Sequence, residues 1–67
     1  MNPAFDEAYR TLGRALLLRG NGKEAIAALR QAIDLDSNCW LNHTALGVAF
    51  FSLGRLEEAE RAFKIAD

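Results

Sequence analysis

Apolar residues recur at spacings of three and four along the chain, and no stretch shows the strict alternation of a half-buried strand. Phe5, Ala8, Tyr9, Leu12, Ala15 and Leu16 form the first such face. It predicts a helix that starts at Asn2-Pro3, where Asn caps free N–H groups and Pro needs no donor, and that runs to about Arg19. Asp6 and Glu7 sit near the positive end of its dipole. Gly20 offers the left-handed residue that commonly ends a helix. Asn21-Gly22-Lys23-Glu24 reads as a turn and a new start, with Asn21 and Glu24 at the spacing of a capping box. Ala25, Ile26, Ala28, Leu29, Ala32 and Ile33 face a second helix ending near Leu35. Asp36-Ser37-Asn38 is the next break, and Ser37 or Asn38 can cap a third helix from about Cys39 to Leu53. Gly54-Arg55 closes it, and Leu56, Ala59, Ala62, Phe63 and Ala66 supply the face of a fourth. Short turns make neighbouring helices antiparallel, so the predicted class is all-α.

The pattern repeats. Residues 6–33 laid over 40–67, an offset of 34, give eight identities in 28 pairs. These are Leu12/Leu46, Gly13/Gly47, Ala15/Ala49, Gly20/Gly54, Glu24/Glu58, Ala25/Ala59, Ala28/Ala62 and Ala32/Ala66. Gly13 and Gly47 fall inside helices, where Gly costs ~1 kcal/mol against Ala. A close partner helix offsets that cost, so Gly13 is expected against Ala25 and Gly47 against Ala59, small facing small. A period of this length is the signature of stacked helical repeats, an α-solenoid of helix-turn-helix units.

On these residues the chain resembles the tetratricopeptide repeat (TPR) family. The first copy reads Tyr9-x-x-Leu12-Gly13-x-x-Leu16, then Ala25-x-x-x-Leu29 and Ser37; the second reads His43-x-x-Leu46-Gly47-x-x-Phe50 and Ala59-x-x-x-Phe63. Leu16 and Leu29 replace aromatics, His43 replaces Trp or Tyr, and Ser37 replaces Pro. The resemblance covers residues 6–67 and implies one domain over 1–67, with repeat 1 at about 6–39 and repeat 2, truncated, at about 40–67. It also implies a right-handed stack whose first helices line a concave groove that holds a peptide or helix of a partner protein. Carried onto this chain, the groove positions are Glu7, Arg10, Thr11, Arg14, Leu17 and Leu18, with Leu41, Thr44, Ala45, Val48, Phe51 and Ser52 on the third helix. Chaperone-docking relatives clamp a C-terminal carboxylate with Lys, Arg and Asn. Arg10 stands at one basic position of that clamp, but Arg14 and Ala45 replace its Asn residues, so the clamp is incomplete.

Composition narrows the function classes. Sixty-seven residues make one small domain with a marginal core of its own, and Cys39, the single cysteine, can form no internal disulfide. A net charge of −1 gives no reason to expect nucleic acid, and no apolar run approaches the length of a membrane span, so the expected compartment is cytoplasmic. Residues 1–33 carry five Lys/Arg and three Asp/Glu, whereas 34–67 carry three and six. That polarity favours head-to-tail association, weakened by salt.

The third helix is apolar on two faces. Leu41, Ala45, Val48 and Phe51 oppose Leu46, Ala49, Phe50 and Leu53, so the first strip is either covered by a neighbouring helix or open as a groove. Arg10 and Arg14, four apart, either meet an anionic partner or are simply solvated. Trp40, at the start of the third helix, either packs over the second helix, the favoured reading, or is an exposed anchor for a partner. Cys39 and His43 are also four apart, the spacing of half a metal or thiol site, but no other Cys or His completes it, and His43 is expected instead to pack where the family has an aromatic. The expected function is therefore a non-enzymatic protein–protein interaction scaffold with no cofactor. The alternative is a structural unit whose only partner is itself. Phe63, Ile65 and Ala66 leave an apolar C-terminal flank, so the chain is expected either to belong to a longer array or to form a homo-oligomer through that end.

Overall fold

In the computed structural model, which describes residues 4–66 and the side chains of 5–65, four helices follow one another. They are α1 (Ala4–Leu18), α2 (Gly22–Leu35), α3 (Trp40–Ser52) and α4 (Leu56–Ala66). Close backbone approaches join α1 to α2, α3 to α4, α2 to α3 and α1 to α3. Two antiparallel hairpins thus stand side by side as a slab 35 × 26 × 13 Å, an all-α array of two helical repeats. The expected Asn2-Pro3 cap lies outside the described residues.

Both hairpins turn by the same device. Gly20 and Gly54 adopt φ of 82° and 77°, open to glycine at little cost. The N–H of Asn21 then donates to Leu16 O at 2.8 Å and that of Gly20 to Leu17 O at 3.0 Å. Arg55 to Phe50 O at 2.9 Å and Gly54 to Phe51 O at 3.0 Å reproduce the pattern in the second hairpin. Each pair satisfies carbonyls that a helix end leaves without partners. Asn21 does precede α2, but its side chain makes no capping bond, so the capping box does not form. Its backbone is already spent on closing α1, and its carbonyl accepts from Ala25 N–H at 2.9 Å. The cap of α3 is Cys39, likewise without a side-chain bond, rather than Ser37 or Asn38. Asp36 instead accepts the Asn38 N–H at 3.1 Å, which folds the connection back on itself.

The mid-helix glycines work differently from small facing small. A Cβ on Gly13 would lie 2.6 Å from Leu29 Cγ and 3.2 Å from the Ala25 carbonyl oxygen. On Gly47 it would lie 2.6 Å from Phe63 Cε1. Each glycine therefore opens a notch that the large residue of the next helix fills, and the Ala25 carbonyl also approaches Gly13. The core unites Ile26 and Leu29 of α2, Ala45, Ala49 and Phe50 of α3, and Ala59 of α4, with Leu17 and Leu46 packed against it.

Of the apolar face of α1, Phe5, Ala8, Tyr9, Leu12 and Ala15 are exposed, with Leu12 at 49%, and Leu16 is half-buried. The positions of α1 turned toward the rest of the molecule are Asp6, Arg10, Gly13 and Leu17, because α2 and α3 pack on that side. Trp40 is 58% exposed at the start of α3.

Candidate protein-interaction groove

Where α1 runs beside α3, a groove of about 320 Å³ opens between them, lined by Arg10, Arg14, Leu17, Leu41, Thr44, Ala45 and Val48. Residues three, four and seven apart on each helix supply the two walls, which is why both walls are straight. Leu41 and Val48 stay exposed, so the apolar strip of α3 is open rather than covered by a neighbouring helix. Five residues assigned to the same groove from sequence lie elsewhere, Glu7 and Leu18 among them, both exposed on α1. Thr11 is exposed on α1, Ser52 is exposed with its hydroxyl turned back on the Ala49 carbonyl at 3.1 Å, and Phe51 lines a second hollow.

The two arginines of the groove differ. Arg14 is exposed and forms no ion pair among the described residues. Arg10 is drawn inward: its Nη1 donates to Asn42 Oδ1 at 2.8 Å and lies 3.6 Å from Asp6 Oδ2. Asn42, on α3, is fully buried. Its Nδ2 sits 3.2 Å from Asp6 Oδ2, 3.1 Å from Ala32 O and 3.2 Å from Asp36 O, so two N–H groups are shared among three acceptors. A buried amide without partners would cost on the order of 1–3 kcal/mol; here no described buried side-chain polar atom lacks a partner. One side chain thereby ties α1, the end of α2 and the α2–α3 connection to α3, and holds Arg10 at the groove's end. Asn42 belongs to none of the motifs in the sequence. Its signal was a polar residue in register with Ala45 and Ala49, on the face expected to be apolar.

Cys39 and His43 are engaged with different partners. Cys39 Sγ lies 3.7 Å from Arg10 Nη1, and His43 Nε2 lies 2.9 Å from the Ser37 carbonyl, which can only accept. Among the described residues, Asp6, Asp36 and Cys39 bring potential ligand atoms within 4.8 Å of one another. The Arg10 guanidinium already supplies positive charge to Asp6 there.

The residues grouped as an apolar C-terminal flank divide between two places. Phe63 joins Phe51, Leu56, Ala59, Glu60 and Lys64 around an open hollow of about 550 Å³ on α3 and α4. Ile65 joins Ile33, His43, Leu46 and Phe50 at another. The Ala66 side chain lies outside the described ones. No helix of the described residues is long and apolar enough to cross a membrane.

Compared with known proteins, the chain matches a family model described as "Tetratricopeptide repeat" over residues 1–39 and 10–67. No curated protein and no solved structure matches it.

Proposed function

Because the chain belongs to the tetratricopeptide repeat family, whose repeats are typically non-catalytic and mediate protein–protein interaction, we propose that it is an interaction module holding a partner's peptide or helix between α1 and α3. The observation behind this reading is the groove itself: Leu17, Leu41, Ala45 and Val48 make an apolar floor and walls, and Arg10 and Arg14 flank it. That combination suits a segment with apolar side chains at helical spacing and a carboxylate beside them. Two repeats, about 6–39 and 40–67, act as one unit. The partner is a protein met in the cytoplasm, with neither nucleic acid nor membrane required and with no catalytic chemistry or cofactor in the chain.

The test is titration of isotope-labelled protein with an amphipathic leucine- and glutamate-containing peptide and with its lysine counterpart. Shifts should concentrate at Leu17, Thr44 and Val48 and favour the acidic peptide. Val48→Asp, at an exposed position, should abolish them while the helices persist. Silence toward both peptides, or shifts confined to α4, would sink the reading.

A second reading is favoured by the hollow around Phe51, Leu56 and Phe63: copies of the chain associate with one another through α3 and α4. Phe63 belongs to that surface, and Ile65 and Ala66 extend the same end of the chain.

A further inference from the structure

The way α3 sits on the first hairpin shows what the second hairpin is shaped to receive. In that internal seam Leu17, Ile26 and Leu29 pack with Ala45, Ala49 and Phe50, and Leu53 covers Gly22. Advancing Leu17, Gly22, Ala25, Ile26, Leu29 and Arg30 by the 34-residue period gives Phe51, Leu56, Ala59, Glu60, Phe63 and Lys64. Those six residues line the open hollow of about 550 Å³ on α3 and α4. The hollow is thus the second hairpin's copy of the seat that α3 fills on the first.

The matching insert is also present. Moving His43, Leu46, Ala49, Phe50 and Leu53 of α3 back by one period gives Tyr9, Leu12, Ala15, Leu16 and Arg19. All of these except the half-buried Leu16 are exposed, on the flank of α1 that faces away from α2 and α3. We propose that a second copy of this chain docks head to tail, its α1 flank laid into the α3–α4 hollow in the register that α3 keeps on α1 and α2. This rests on the self-association reading above and specifies its geometry.

Charge selects the occupant. At one end of the internal seam Leu53 lies over Gly22, one turn of α2 from Ile26. Between copies the counterparts of Leu53 and Ile26 are Arg19 and Glu60. Two apolar positions have become an opposite-charge pair, brought within a turn of each other by the same register. The net charges of the two halves, positive in 1–33 and negative in 34–67, act in the same direction. The seam joins two different surfaces, so nothing closes it at two copies and growth is open-ended.

Sedimentation equilibrium of the wild-type chain at low salt, across the micromolar range, tests this. Mean mass should rise with concentration without levelling at twice that of one chain. Arg19→Glu and Glu60→Arg should each weaken association about five- to tenfold by placing like charges across the seam. Their 1:1 mixture should restore it, since every junction then pairs opposite charges. Both positions are exposed, and Glu60 pairs only loosely with Lys64 at 4.0 Å, so helix content by circular dichroism should not change. Leu12→Glu should leave a folded, non-associating chain. Absence of association at every concentration would overturn self-association and this geometry together. Association that stops at two copies, or that mixing does not rescue, would overturn the head-to-tail geometry alone.

Discussion

Leu29 and Phe63 stand at equivalent positions of the two hairpins, each filling the notch of a glycine on the preceding helix, yet Leu29 is sealed from solvent and Phe63 is 38% exposed. The same split runs through the molecule. Ala25 and Ala28 are buried like Ala59 and Ala62, because these positions face the other helix of their own hairpin. Positions facing a neighbouring hairpin diverge: Ala49 is buried where Ala15 is exposed, and Ile26 is buried where Glu60 is exposed. A repeat thus carries two kinds of apolar position. One closes the hairpin and keeps its identity from copy to copy. The other makes the seam, and its burial depends on which side a neighbour stands.

The largest effect expected from this difference is on truncation of the filling residues. Leu29→Ala removes a sealed side chain opposite a glycine that offers no Cβ to refill the space, and should cost about 3–5 kcal/mol in urea unfolding at low protein concentration. Phe63→Ala takes away a larger side chain from a position already open to water, and should cost about 1–2 kcal/mol. Equal losses would mean that the hairpins, not the seam, account for the burial energy.

Asn42 sharpens the comparison, since its counterpart one period earlier is the exposed Ala8. Asn42→Ala strands the Asp6 carboxylate and the Arg10 guanidinium in a half-closed space and removes the tie to Ala32 O. The expected loss is about 2–3 kcal/mol. Ala8→Asn adds the same amide where water already serves, and should cost no more than the roughly 0.7 kcal/mol of helix propensity that Asn gives up to Ala. A small loss for Asn42→Ala would show that the network positions Arg10 without supporting the fold.

Legibility in the sequence followed the same division. Helix spacing, the two glycine ends and the 34-residue period depend on residues near one another in the chain, and each was readable from Gly20, Gly54 and the apolar faces. Spacing also named Arg10, Arg14, Leu17, Leu41, Thr44, Ala45 and Val48, which the fold assembles around one groove. The exposure of Tyr9 and Leu12 was not readable, because a periodic face shows that a helix has an apolar side and not what covers it. The Asn42 network was hidden for another reason. Asp6 lies 36 residues away and Arg10 lies 32 away, while the remaining acceptors are backbone carbonyls that carry no side-chain signature.

The smallest effect separates the hairpins most sharply, because the chemical change is identical. Alanine at either Gly13 or Gly47 gains about 1 kcal/mol of helix propensity. At Gly13 the new methyl meets Leu29 Cγ at 2.6 Å and Cδ2 at 2.7 Å, with the Ala25 carbonyl oxygen at 3.2 Å. Leu29 is enclosed by the core and a backbone carbonyl cannot swing aside, so overpacking should cost about 1–3 kcal/mol and leave a net loss near 1 kcal/mol. At Gly47 the three nearest atoms all belong to the Phe63 ring, at 2.6, 2.7 and 2.9 Å. That ring forms one wall of an open hollow and has room to turn outward. Gly47→Ala should therefore be neutral within about 0.5 kcal/mol under conditions where the chain is monomeric. If copies stack through that hollow, the displaced ring occupies the space α1 of the next copy needs, and the same substitution should weaken association while leaving monomer stability unchanged. Equal destabilisation at the two glycines would mean that Phe63 is held as firmly as Leu29, and that the open side of the second hairpin gives it no freedom.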